Sequence, residues 1–165
     1  MDTRQAVSAA LFLAAGVVLL LTLFPGLLVG DPGPYERTTV TASDANGTEL
    51  ATVEVRVADT QTKRRVGLSE TDSLAPDEGM LFVHETEAVH PFVMSGPRED
   101  MSFPLDIVFV DSNGTVTTIH HAAVDASGRF EGRAKYVLEV ERGGANRTGL
   151  DVGDTVEVPP DLQAR

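Results

Sequence analysis

Cysteine is absent from all 165 residues. That one absence removes disulfides, thiolate nucleophiles, a lipid-modified N-terminal cysteine and Cys-ligated zinc together. A domain exported without disulfides must rest on its core, and roughly 120 residues suffice for one. Positive charge is nearly as scarce. Thirteen Lys and Arg stand against 25 Asp and Glu, the net charge is −12, and Lys63 and Lys135 are the only lysines. A nucleic-acid phosphate backbone is bound through Lys and Arg, so the balance excludes nucleic acid as a partner and argues against docking on anionic headgroups. The acids are spread along the domain rather than gathered in a tail. That suits solvation in strong salt, where repulsion is screened; the alternative is a surface for cations or basic partners. Repeats and low-complexity tracts are also missing.

Charge is missing altogether between Ala6 and Gly30, where Leu, Val, Ala and Phe dominate. A helix needs roughly 20 apolar residues to cross a bilayer, so residues 1–30 are expected to hold one N-terminal transmembrane anchor through Ala6–Gly30. A cleaved signal peptide is the alternative. Its apolar region is shorter, about 7–15 residues, and a small-residue cleavage site follows it; no Ala-x-Ala follows here. Arg4 precedes the span, which favours a cytoplasmic N-terminus and an extracellular domain. The lipid bilayer is thus the first expected partner.

Residues 31–47 read as a linker or edge strand, 48–160 as a single β-rich domain and 161–165 as a tail. Thr48–Ala58 alternates Leu50, Val53, Val55 and Val57 with Glu49, Glu54 and Arg56, the period of a half-buried strand. Thr60–Leu68 reads as a short helix capped by Thr60, with Lys63, Arg64 and Arg65 solvated. Gly79–Val83, Val89–Met94, Leu105–Val110 and Tyr136–Val140 read as strands. Asn113-Gly114 between β-branched runs signals a hairpin returning over Val116–His120. Ala145–Leu150 suggests a helical turn, and a last strand runs to Val158. The pattern predicts a mainly β domain, a compact sandwich or barrel with one or two short helices.

An ordered set of motifs resembles the domain of unknown function 192 family. Arg64, Gly67-Leu68, Leu74 and Asp77-Glu-Gly-Met-Leu-Phe-Val83 are similar to its opening. Phe92-Val-Met94 resembles its next element, Pro104-Leu-Asp-Ile-Val-Phe-Val-Asp111 with Gly114 its centre, and Tyr136-Val-Leu-Glu139 with Gly143 and Gly153-Asp154 its end. The resemblance spans Val55–Val158 and implies a jelly-roll type of β fold, often secreted or membrane-tethered. It implies no activity. Two features depart from the family: Val93 stands where Trp is usual, and the loop Ser95–Phe103 is longer, with no counterpart of Lys-Asn-Thr.

Arg64, Met80, Met94, Asp106 and Glu139 form the candidate ligand-binding set. Asp106 interrupts the most apolar run, so it is either a site acid or a structural carboxylate bonded to an Arg (Arg64, Arg65 or Arg133) or to backbone N–H groups, because a buried unpaired charge is costly. Glu139 is either a site acid or a solvated residue on a strand. Two carboxylates held about 5–9.5 Å apart would serve glycoside cleavage, and Asp106 with Glu139 is the pair to test. His84 and His90 lie near Glu85 and Glu87, but their spacing fits no metal motif, and His120-His121 must point to opposite faces of a strand. No metal and no cofactor is expected. Asn46, Asn113 and Asn146 begin Asn-x-Thr sequons, which are glycosylation candidates. The expected role is noncatalytic binding of a small ligand, glycan or envelope protein. A hydrolase using Asp106 and Glu139 and a purely structural envelope component are the alternatives.

Salt tests the reading of the acidic surface. The domain 31–165 is expected to melt at lower temperature as ionic strength falls, because screening weakens while the charge stays. Equal melting temperatures in dilute buffer and molar salt would refute it.

Overall fold

The computed structural model of the chain describes residues 30–95 and 100–165, together with the helical positions Ala15, Val18, Leu19 and Thr22. Apart from those four positions and Gly30, the expected span Ala6–Gly30 lies outside the described residues, as do Gly96 and Pro97 of the 95–103 loop. Among the described residues no helix is long and apolar enough to cross a membrane. The chain divides into two units, Met1–Asp31 and Pro32–Arg165, and the second holds every strand.

Seven strands follow in chain order: β1 (Glu36–Ser43), β2 (Glu49–Ala58), β3 (Glu78–Phe92), β4 (Leu105–Val110), β5 (Val116–Ala122), β6 (Phe130–Glu141) and β7 (Thr155–Glu157). Three short helices intervene or follow: α1 (Gln61–Val66), α2 (Gly144–Thr148) and α3 (Pro160–Gln163). The strands form one sheet in the order β5-β4-β6-β3-β2-β1-β7, antiparallel except for the β2–β3 pair. The sheet curls until its two ends touch. The Val116 N–H donates to the Asp154 carbonyl at 2.8 Å, and the Val156 N–H to the Gly114 carbonyl at 2.8 Å. Of the sandwich and barrel alternatives, the chain takes the curled, barrel-like one.

Several elements differ from the sequence reading. Glu36–Ser43 is a strand flanked by β2 on one side and β7 on the other, because Val40 and Ala42 supply core side chains that its polar neighbours concealed. Gly79–Val83 and the first part of Val89–Met94, as far as Phe92, belong to one long strand, β3. The break between them is a bulge in which residues 84–87 stand against Lys135 alone of β6. The final segment is not a loose tail: α3 buries Leu162 completely. The helix α1 does start at its predicted cap, where Thr60 Oγ1 accepts from the Lys63 N–H at 3.2 Å. It stops at Gly67, whose φ of 54° is costly for any side chain.

Two apolar clusters lie on opposite faces of the sheet. The inner one joins Val53, Val55, Val57, Leu81, Val108, Leu138 and Val156. The outer one joins Met80, Phe82, Ile107, Phe109 and Val137 to Leu68, Leu74, Met94, Met101 and Phe103 from the segments after α1 and before β4. This explains why all six residues of β4 are buried and why its run is continuously apolar rather than alternating.

Asp106, fully buried, fastens this arrangement. Its Oδ2 accepts from the backbone N–H groups of Gly143 (2.9 Å) and Ala145 (3.0 Å), and its Oδ1 lies 2.7 Å from His121 Nδ1. One carboxylate therefore ties β4, β5 and the turn into α2 together. Asp106→Asn keeps the shape but removes the charge, and is expected to lower unfolding free energy by about 1–3 kcal/mol, the worth of charged hydrogen bonds. Urea denaturation measures it; an unchanged midpoint would refute the assignment.

Candidate functional site

Glu139 sits on β6 directly between Met80 of β3 and Ile107 of β4. It shares a face with Val137, so it points into the outer cluster rather than the inner one. The residue is 6 % exposed, and its carboxyl makes no hydrogen bond or ion pair among the described residues. Burial alone pushes that carboxyl up to about 8. The sequence alternative of a solvated strand face is thereby overturned: the outer face of β6 is roofed by the segments that follow α1 and precede β4.

The carboxyl opens on a cavity of about 130 Å³, walled by Phe82, Phe92 and Met101 and rimmed by Arg64, Arg65 and Ser69. Phe82 and Phe92 meet edge to face with centroids 4.9 Å apart, which fixes that wall. Ser69 is buried, and its hydroxyl donates to the Val66 carbonyl at 2.7 Å. Arg64 was expected to be solvated; it is half-buried instead. Its Nη1 donates to the carbonyls of Asp59 (2.7 Å) and Val83 (2.8 Å), which lock the guanidinium between α1 and β3. Arg65 beside it is exposed.

Behind Arg64, the bulge of β3 brings His84 and His90 into a stack, with ring centroids 3.5 Å apart and planes 12° from parallel. Their Nε2 atoms are buried without a hydrogen-bond partner. Burial, with His90 and Arg64 adding to it, lowers the His84 imidazole to about 4, and burial likewise lowers His90. Both rings are therefore neutral near pH 7. Among the described residues no group of three or more His, Asp and Glu could hold a metal ion.

The five candidate residues are not brought together as one set. Arg64 and Glu139 line the cavity, while Met80 and Met94 are core residues of the outer cluster. Asp106 lies on the inner face, bonded to backbone N–H groups and His121 rather than to Arg64. Asp106 and Glu139 are thus neighbours across β4 and β6 that point to opposite sides of the sheet. His120 and His121 diverge as strand geometry requires: His120 Nε2 lies 2.9 Å from the Glu131 carbonyl. Asn46, Asn113 and Asn146 are all exposed, the last on α2 rather than in a turn. Sequence reasoning missed the aromatic wall and Ser69. The His84–His90 stack was also missed, since only the bulge creates it. For Glu139 there was a signal: a lone acid within the apolar run Tyr136–Val140.

The family model of DUF192, described as "Uncharacterized ACR", matches residues 41–158. The chain belongs to the DUF192 family. Crystal structures of two similar proteins cover the same domain. One, from Sinorhizobium meliloti 1021 and described as a "putative transcription regulator", is 30 % identical with a TM-score of 0.69, over 78 % of this chain and 97 % of that one. The other, a protein of unknown function from Novosphingobium aromaticivorans DSM 12444, is 27 % identical with a TM-score of 0.67, over 79 % of this chain and 91 % of that one. No curated protein matches the chain.

Glu139 and His84 act on stability in opposite directions. Glu139 is raised from 4.5 to about 8, so the folded state holds its proton more tightly; that stabilisation is full below about pH 4.5 and is lost as pH rises through 8. His84 is lowered from 6.5 to about 4, so its contribution is present above 6.5 and is lost as pH falls toward 4. Above pH 6.5 the Glu139 slope stands alone. Glu139→Gln is expected to flatten the decline in melting temperature between about pH 6.5 and 8. A variant as pH-dependent as the parent there would refute the buried neutral carboxyl.

Proposed function

We propose that this DUF192 protein is a membrane-tethered, extracytoplasmic β domain that binds a small ligand without catalysis, and that its site is the Glu139 cavity. The observation that carries the reading is the carboxyl of Glu139, buried, held neutral near pH 7 by desolvation and without a hydrogen bond among the described residues, on a cavity that Arg64 and Arg65 also line. A buried polar group left unsatisfied lowers stability, and a chain retains one readily where a ligand completes its bonding. Convergent polar groups in an otherwise apolar concavity are the usual form of a small-molecule site. The hydrolase alternative is weakened because Asp106 and Glu139 face opposite sides of the sheet. The tether rests on the uncharged run Ala6–Gly30, and the outward orientation on Arg4 and the terminal amine before that run, with Asp31 after it.

Transcription regulation, the description of the Sinorhizobium relative, is not carried over: a net charge of −12 repels a phosphate backbone. High salt as the working environment, and glycans at Asn46, Asn113 and Asn146, belong to the same proposal of an exported surface domain.

Two measurements test it. Protease added to intact cells is expected to digest the domain and leave a small membrane fragment; a protected domain would overturn the outward orientation. A thermal-shift screen of small molecules on the full-length chain is expected to find stabilisers that fail on Glu139→Leu. Stabilisers acting equally on the variant would move the site elsewhere.

A further inference from the structure

We propose that the Glu139 cavity takes a small monocarboxylate, held by the free edge of the Arg64 guanidinium while Glu139 donates a hydrogen bond from the floor; this rests on the reading of the cavity as a ligand site.

The guanidinium of Arg64 is the first reason. It has five N–H donors in a planar fork. The two on Nη1 are spent on the carbonyls of Asp59 and Val83. Nε and Nη2 make no hydrogen bond among the described residues. Such a fork edge matches a carboxylate, two parallel N–H donors against two oxygens. The carbonyls have already immobilised the side chain, so little further entropy is lost when an anion arrives.

Local charge is the second reason. On a strongly acidic protein this rim carries Arg64 and the exposed Arg65, which also has no hydrogen bond among the described residues. Around Glu139 no charge opposes an anion. Met80 of β3 and Ile107 of β4 flank it, and among the described residues the charged side chains that line the cavity besides Glu139 are the two arginines of α1. His84 and His90, behind Arg64, are neutral. A protonated Glu139 donates to an oxygen acceptor, which an anion provides. A cation would have to ionise Glu139 and face both guanidiniums.

Size is the third. A cavity of about 150 Å³ takes benzene, so one of about 130 Å³ has room for a molecule of propionate's size, with its carboxylate toward Arg64 and its methyl toward Phe82, Phe92 and Met101.

The test melts the full-length chain, at constant sodium chloride, with propionate, with propanamide as neutral isostere and with propylammonium as cation. Propionate is expected to raise the melting temperature saturably at about pH 6, and the other two are not. The response should fade above about pH 8 as Glu139 ionises. Glu139→Gln can still donate, so it should keep the response and lose its pH dependence. Arg64→Lys keeps the charge but not the fork, and should raise the half-saturating concentration about tenfold or more, as loss of a charged hydrogen bond implies. If Arg64→Lys does not fold, Arg65→Gln, an exposed change, should still raise it measurably by lowering the local potential. A propionate response unchanged in these variants would be nonspecific and would overturn the inference. Stabilisation by propanamide or propylammonium alone would overturn the carboxylate assignment and leave the cavity a ligand site. Silence toward all three would overturn both.

Discussion

Burial of the central strands on both faces governs the rest of this domain. β3, β4 and β6 carry apolar side chains on both sides, and a single curled sheet can cover only one of those sides by closing on itself. The other must be roofed by chain that is not sheet. Leu68 and Leu74 after α1, and Met94, Met101 and Phe103 before β4, supply that roof. Everything distinctive about the domain lies under it: a dry Glu139, an arginine caught between helix and strand, and an aromatic wall.

The two buried carboxylates show how one sheet assigns opposite tasks to chemically similar groups. Asp106 faces inward and finds two backbone N–H groups and an imidazole, so its charge is distributed over three partners. Glu139, one strand over and facing outward, finds only hydrocarbon and a cavity. The first arrangement satisfies a buried carboxyl with hydrogen bonds; the second favours the neutral form by desolvation. A single-residue slip of β4 against β6 would turn Asp106 to the outer face and away from its partners, since successive side chains alternate faces.

Much of the fold was legible because it rested on local periodicity. The alternation of Val53, Val55 and Val57, the continuous run Leu105–Val110 and the cap at Thr60 all report their structure directly. What was not legible depends on contacts remote in sequence. β1 looked polar because only Val40 and Ala42 of its residues turn inward. β3 looked like two strands because its bulge carries the polar residues 84–87 through the middle. For the site, the sequence singled out Arg64 and Glu139, which line one cavity, yet it paired Glu139 with Asp106, which faces the other side of the sheet. Face parity across neighbouring strands depends on register, and register is not written in either strand alone.

The seam where Val116 and Val156 exchange their backbone donors with Asp154 and Gly114 has a consequence for life in a crowd. An open sheet offers rows of unpaired N–H and C=O groups to any neighbouring chain. Here the first residues of one outermost strand are bonded to the segment around the other, and that other strand, β7, is three residues long. The template that remains for a second molecule to extend is confined to the rest of β5, so copies packed side by side at high local concentration have one short edge through which to zip into larger sheets.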